Sequence, residues 1–161
     1  MSKKKRILGI DPGTTITGYG IIETSGNSYE FVECGVIKPN PNTSLVEKYV
    51  YIFDEITKLV TRTKPIELSV ETQFVQHNIQ TAMKLGMARG AIIIAAAKLG
   101  VDIFEYSPSE AKRAVTGNGR SSKPQVAHMT KVLLSLTSIP TSEDASDALS
   151  LAIAHAHQRK F

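Results

Sequence analysis

Four acidic residues stand where acids are costly, and together they could hold metal ions. Asp11 follows Ile7, Leu8 and Ile10 at the end of an apolar run. Glu71 ends a second such run, Ile66-Glu67-Leu68-Ser69-Val70. Asp144 and Asp147 are three apart among Ala145, Ala148, Leu149, Ala152 and Ile153, so they share one helix face. An ionised carboxylate beside a buried strand needs a cation or hydrogen-bonding partners. No Lys or Arg occurs in the last helix before Arg159, so neither Asp has a local basic partner. Carboxylate oxygens suit Mg²⁺ or Mn²⁺. Two such ions roughly 3.5–4 Å apart activate a water and stabilise the leaving oxygen of a phosphodiester. Crowded carboxylates without a cation raise one another's pKa.

Each acid also has a purely structural reading. Asp11 could brace the Pro12-Gly13 turn, and Glu71 could be an exposed strand-end charge like Glu67. Asp144, three after Thr141, could complete a capping box. Asp147 could be a first-turn acid favoured by the helix dipole. That account needs four separate explanations, and the metal account needs one.

Basic residues concentrate elsewhere. The segment from Ser107 to Lys131 carries Lys112, Arg113, Arg120, Lys123 and Lys131 against Glu110 alone. Such a stretch neutralises phosphates, or it is a solvated helix face. The small polar loop Gly117-Asn118-Gly119-Arg120-Ser121 could mould itself to a bent backbone.

The elements that must position these groups follow from periodicity. Residues 6–11, 17–22 and 29–37 read as strands joined by short turns, hence an antiparallel meander. Leu45, Tyr49, Ile52, Phe53, Ile56 and Val60 recur at helical spacing and predict a helix over 43–62. Strands over 66–71 and 101–106 alternate with a helix over 77–99, which Gly100 stops. Within it, the small-residue stretch Gly86 to Ala97 suits an internal helix or a dimer seam. Ser107-Pro108 opens a helix to about 116, Ser122 with Gln125 caps one over 122–136, and Thr141-Ser142 caps the last over 143–157. Meander first, alternation afterwards, predicts an α/β fold with a mixed sheet flanked by helices.

Composition bounds the rest. A chain of 161 residues with 42% hydrophobic and 21% charged residues suits one folded domain, 1–161. Its single cysteine, Cys34, permits no internal disulfide and no cysteine metal cluster, which fits a reducing, cytoplasmic setting. It reads as a small buried apolar residue. His155 and His157, two apart, do not share a helix face and read as C-terminal cations, not as a zinc site. The longest apolar run, Ala91 to Ala97, is too short for a membrane span, and the Lys3–Arg6 run leads no signal-peptide core. The net charge of +4 is uneven: residues 62–131 hold ten Lys and Arg against five acids.

The motifs resemble a known family. Ile7-Leu8-Gly9-Ile10-Asp11-Pro12-Gly13-Thr14-Thr15-Ile16-Thr17-Gly18-Tyr19-Gly20 is similar to the opening of RuvC-type Holliday-junction resolvases. Val70-Glu71-Thr72-Gln73-Phe74, with Ala82 to Gly90, resembles their second motif, and Phe104-Glu105-Tyr106 the strand after it. Lys112, Gly117, Gly119, Lys123, Gln125, Val126, His128 and Met129 follow at matching spacing, and Glu143 to Ala152 resembles the last motif.

The resemblance implies a ribonuclease-H-like fold and a homodimer. It implies paired symmetric nicks across a four-way DNA junction in recombination and repair, and partnership with a branch-migration helicase. Asp11, Glu71, Asp144 and Asp147 match the catalytic carboxylates, expected to hold two Mg²⁺, or Mn²⁺ in substitution. Lys112 and Lys123 match basic residues of the active site, and Phe74 an aromatic that stacks near the opened junction centre. Lys84, Arg89, Arg113 and Arg120 join Lys112 and Lys123 as expected DNA contacts. The basic tail of some members has no counterpart after Phe161, so contacts from it are not implied.

Two other classes compete. Asp11-Pro12-Gly13-Thr14-Thr15 also resembles the phosphate loop of actin-like kinases and ATPases, but those need a second lobe and a later Gly-rich adenosine motif. A non-catalytic DNA-structure-binding module would use the basic middle and leave the acids as braces. Nucleotide titration separates the first, and a cleavage assay the second.

Overall fold

The computed structural model describes residues 3–72 and 77–159. Side chains alternate along the first strand, β1 (Lys5–Asp11). Leu8 and Ile10 pack into one core, while Ile7, Gly9 and Asp11 face the other way. β2 (Thr17–Ser25) and β3 (Ser28–Ile37) pair antiparallel after it, giving the expected meander. A capping box of Ser44 and Glu47 starts α1 (Leu45–Thr63), and Lys64 in left-handed conformation ends it. β4 (Glu67–Glu71) returns parallel to β1. α2 (Ile79–Ala97) crosses over to β5 (Asp102–Tyr106), parallel to β4. Three helices finish the described chain: α3 (Pro108–Thr116), α4 (Lys123–Leu133) and α5 (Glu143–Arg159). The strand order is β3-β2-β1-β4-β5, a mixed five-stranded sheet.

Two apolar cores flank that sheet. α1 and α2 cover one face through Ile52, Ile56, Ala88 and Ile92. α3, α4 and α5 cover the other through Ala111, Val126, Leu149 and Ile153. The first two expected strands sit at the centre and the third at an edge.

Helix α5 seats directly on β1 and β2 because they offer glycine beneath it. A Cβ on Gly9 would collide with the backbone carbonyl of Ala148, and one on Gly18 with that of Asp144. Gly18 is the cross-strand partner of Asp11. The backbone of Asp144 thereby comes down beside the end of β1. The Gly18-x-Gly20 alternation was the available sequence signal for this docking.

Several expectations are corrected. Glu67 is not an exposed strand-end charge: it is 4% exposed and meets His155 Nε2 at 2.7 Å and Arg159 at 3.3 Å. His155 is not a surface cation. It is fully buried, with Tyr106 Oη 2.6 Å from Nδ1, and burial pushes its pKa below the ordinary histidine value despite Glu67. Alternation along β4 is the physical reason, since Glu67, Ser69 and Glu71 share the face that α5 covers. Ser142, rather than Thr141, caps α5 by accepting from the Ala145 N–H, so no capping box claims Asp144. α4 stops at Leu133, before the expected 136, where Leu134 and then Ser135 at φ 52° leave the helix. Cys34 is only partly buried, against the α5-side core. In the Lys3–Arg6 run, Lys4 pairs with Glu30 and Arg6 with Glu23, so those charges are spent within the fold.

Candidate active site

Parallel pairing of β1 and β4 places Asp11 and Glu71 at neighbouring strand ends, on the face that α5 covers. α5 brings Asp147 to the same place. A cleft of about 290 Å³ is lined by Asp11, Glu71, Asp147 and Ser150, with Lys112 of α3 and Lys123 of α4. Asp144, one turn earlier on α5, lines the adjoining groove of about 540 Å³. That groove shares Asp11 and runs past Thr14, Thr15 and Lys84. The four acids therefore bracket one spot, with Asp11 common to both concavities.

The electrostatics record the crowding. Burial first, then Asp147, Asp144 and Glu71, raise the Asp11 pKa to about 7. Burial and then Asp147 raise that of Glu71, which Lys112 and Lys123 partly offset. Burial raises Asp147, and Lys123 opposes it. Lys123 Nζ lies 3.3 Å from Asp147 Oδ2 and 3.9 Å from Glu143 Oε1. Asp147 first, then its hydrogen bond, holds Lys123 above the ordinary lysine value against desolvation.

A shared excess of negative charge is what a cation site needs. Among the described residues, no three Asp, Glu, His or Cys side chains close around a single ion as they stand. The set is open and all-oxygen. It fits a hard divalent ion that keeps waters and takes substrate phosphate oxygens to complete its shell. A closed structural site built of nitrogen or sulfur ligands does not fit it.

The expected DNA contacts divide by environment. Lys84, Arg113, Arg120 and Lys123 are exposed, and Lys112 is partly buried at the cleft wall. Arg89 turns inward, with its side chain 18% exposed and paired with Glu105. Phe74 lies outside the described residues. A larger cavity, about 660 Å³ between α1 and the β2–β3 pair, includes Tyr19, Val36, Glu55, Lys58 and Arg62. Its charges pair off as Glu55–Lys58 and Glu33–Arg62, and it gathers no acid cluster.

Comparison with known proteins decides the family. The family model described as "Crossover junction endodeoxyribonuclease RuvC" matches residues 7–155. The chain belongs to the RuvC family. The crossover junction endodeoxyribonuclease RuvC of Protochlamydia amoebophila is 52% identical over 156 residues, covering 97% of this chain and 93% of that one. The RuvC structure from Thermus thermophilus superposes with a TM-score of 0.88 at 31% identity, covering 96% and 95% of the two chains. The T. thermophilus RuvC in complex with Holliday junction substrate gives 0.87 at 29% identity, over 96% and 94%. The RuvC match spans all three acid-bearing elements, and the architecture is the expected ribonuclease-H-like one. Membership of that family, matched over residues 7–155, stands against the kinase-like reading.

Proposed function

We infer that this chain is a crossover junction endodeoxyribonuclease that resolves four-way DNA junctions. The observation that carries the reading is the convergence of Asp11, Glu71, Asp144 and Asp147 from β1, β4 and α5, with Lys112 and Lys123 on the rim. Bound at these carboxylates, Mg²⁺ or Mn²⁺, two per site, supplies an activated water and charge stabilisation at the leaving oxygen. Asp11 and Glu71, held by the sheet, fix the floor of the site. Asp144 and Asp147, one helical turn apart, face it from α5. Lys112 and Lys123 neutralise charge that develops on the phosphate. Lys84, Arg113 and Arg120 hold the flanking backbone, and Phe74 stacks at the opened junction centre.

Symmetric paired nicks require two such centres. The outer side of α2 exposes Ile79, Met83, Met87 and Ile94, while its inner side buries Ala88, Ile92, Ala95 and Ala96. An apolar stripe of this kind on a chain that cuts in pairs supports a second copy as its occupant. A branch-migration helicase completes the assembly. The setting is the cytoplasm; among the described residues no helix is long and apolar enough to cross a membrane.

The test offers purified protein a synthetic four-way junction, a linear duplex and a single strand, each labelled. Nicks in the junction alone, present with Mg²⁺ and lost with chelator, are expected. Equal cutting of all three, or junction binding with no cutting under any divalent metal, contradicts the reading.

A further inference from the structure

Arg89 lies in the middle of α2, across the sheet from α5, and its charge is turned toward the strand ends. Its Nε–H donates to the backbone carbonyl of Glu71 at 3.2 Å. Its Nη2 lies 2.8 Å from Glu105 Oε1 on β5. That nitrogen is sealed from water and its N–H bonds are not aligned on the carboxylate, so the contact is an ion pair rather than a linear hydrogen bond. A guanidinium placed to meet DNA phosphate stays in solvent, whereas a buried one is held by fixed partners.

The position of this contact matters more than its strength. The sheet runs out at Glu71: pairing with β1 extends to Ile10↔Val70, and pairing with β5 to Glu71↔Tyr106. On the β5 side the next N–H, of Thr72, donates to the Tyr106 carbonyl at 2.8 Å. Arg89 supplies a further tie to the residue whose carboxylate faces the cleft. It bridges β4 and β5 through one planar group, which a lysine ammonium does less well.

We propose that Arg89 is a positioning residue: from α2 it clamps the Glu71 main chain to Glu105 and so aims the Glu71 carboxylate at the metal-holding cleft. This rests on reading Glu71 as one of the carboxylates that hold the cation. It reassigns Arg89 from the DNA contacts expected of it. Partners that orient a ligating carboxylate typically change metal affinity or activity by roughly 10–100-fold when removed.

The test compares wild type, Arg89→Gln, Arg89→Lys and Glu71→Gln. Mn²⁺ binding without DNA is read by electron paramagnetic resonance, and junction affinity in chelator is read across a salt series. Arg89→Gln is expected to bind Mn²⁺ about 10-fold or more weakly, Arg89→Lys to recover part of the loss, and junction affinity and its salt slope to stay at the wild-type values. Unchanged Mn²⁺ affinity in Arg89→Gln, with Glu71→Gln impaired, overturns the proposal and leaves the site reading standing. Wild-type Mn²⁺ affinity in Glu71→Gln overturns the site reading itself. A weaker junction affinity with a salt slope reduced by about 1 makes Arg89 a phosphate contact and overturns the proposal. Should Arg89→Gln fail to fold, Glu105→Gln is read in its place. It keeps the guanidinium but removes its counter-charge; a several-fold loss of Mn²⁺ affinity is expected, and none overturns the proposal.

Discussion

Lys123 Nζ sits 3.3 Å from Asp147 Oδ2, across the gap between α4 and α5. The lysine side chain is 61% exposed and the aspartate 31%, so the pair adds little to stability. Its proposed role lies in where it holds a positive charge, at the mouth of the cleft of acids.

Lys123→Met should therefore separate stability from activity. We expect a stability change within about 0.5 kcal/mol. Loss of a charge aimed at the phosphate should slow cutting by roughly 10–1,000-fold. Thermal melting and single-turnover cleavage measure the two. A large loss of stability with normal cutting would reverse the assignment.

Asp11 gives a pH signature. An aspartate in the unfolded chain titrates near 3.9, and in the fold Asp11 titrates at about 7. Between these values the folded state binds the extra proton, so stability from this group is full below the unfolded pKa and is lost as pH rises through about 7. Asp11→Asn removes that loss. Without metal it should be more stable than wild type at pH 8, by about 1–3 kcal/mol after allowing for solvent access, and no more stable at pH 4. Urea denaturation at both pH values checks it, and taking the difference from wild type cancels the opposite titration of His155. Because a cation must displace the same proton, metal affinity should rise through that window.

Gly18→Ala tests the seating of α5. Its Cβ would meet the Asp144 backbone carbonyl, which cannot yield without shifting the helix. A loss of about 1–3 kcal/mol is expected from overpacking. Cutting by the folded fraction should fall as well, because the displaced segment carries Asp144. Urea melts and cleavage assays on the same preparation test both.

Much of this arrangement is legible in the sequence, for a physical reason. The acids stand out because apolar neighbours on strands make them expensive, and strand periodicity then puts Asp11 and Glu71 on one face. The meander, the parallel returns and the Ser122–Gln125 cap are likewise local signals. Glu67 and His155 escape a local reading because their worth is relational. Residues 88 apart satisfy each other inside the fold, and neither carries a local mark of burial. Arg89 looked like one more basic residue of a basic segment, and only the fold shows that it faces Glu105. The glycines beneath α5 were visible as glycines, but what presses on them is set by tertiary packing.

Met87→Glu tests the proposed pairing of protomers. Met87 is 59% exposed on the outer side of α2, so the substitution should leave the fold within about 0.5 kcal/mol. A charge set into an apolar seam should weaken self-association at least about tenfold. Sedimentation at several concentrations reads this, and paired nicking should give way to single nicks. An unchanged dimer would place the interface elsewhere.

The most direct measurement is single-turnover cutting of a four-way junction labelled on opposing strands, with Mg²⁺, by wild type and by Asp144→Asn. The wild type should place symmetric nicks. Asp144→Asn should cut at least about a hundredfold more slowly, with junction binding in chelator intact. Undiminished cutting by Asp144→Asn would contradict the four-carboxylate centre.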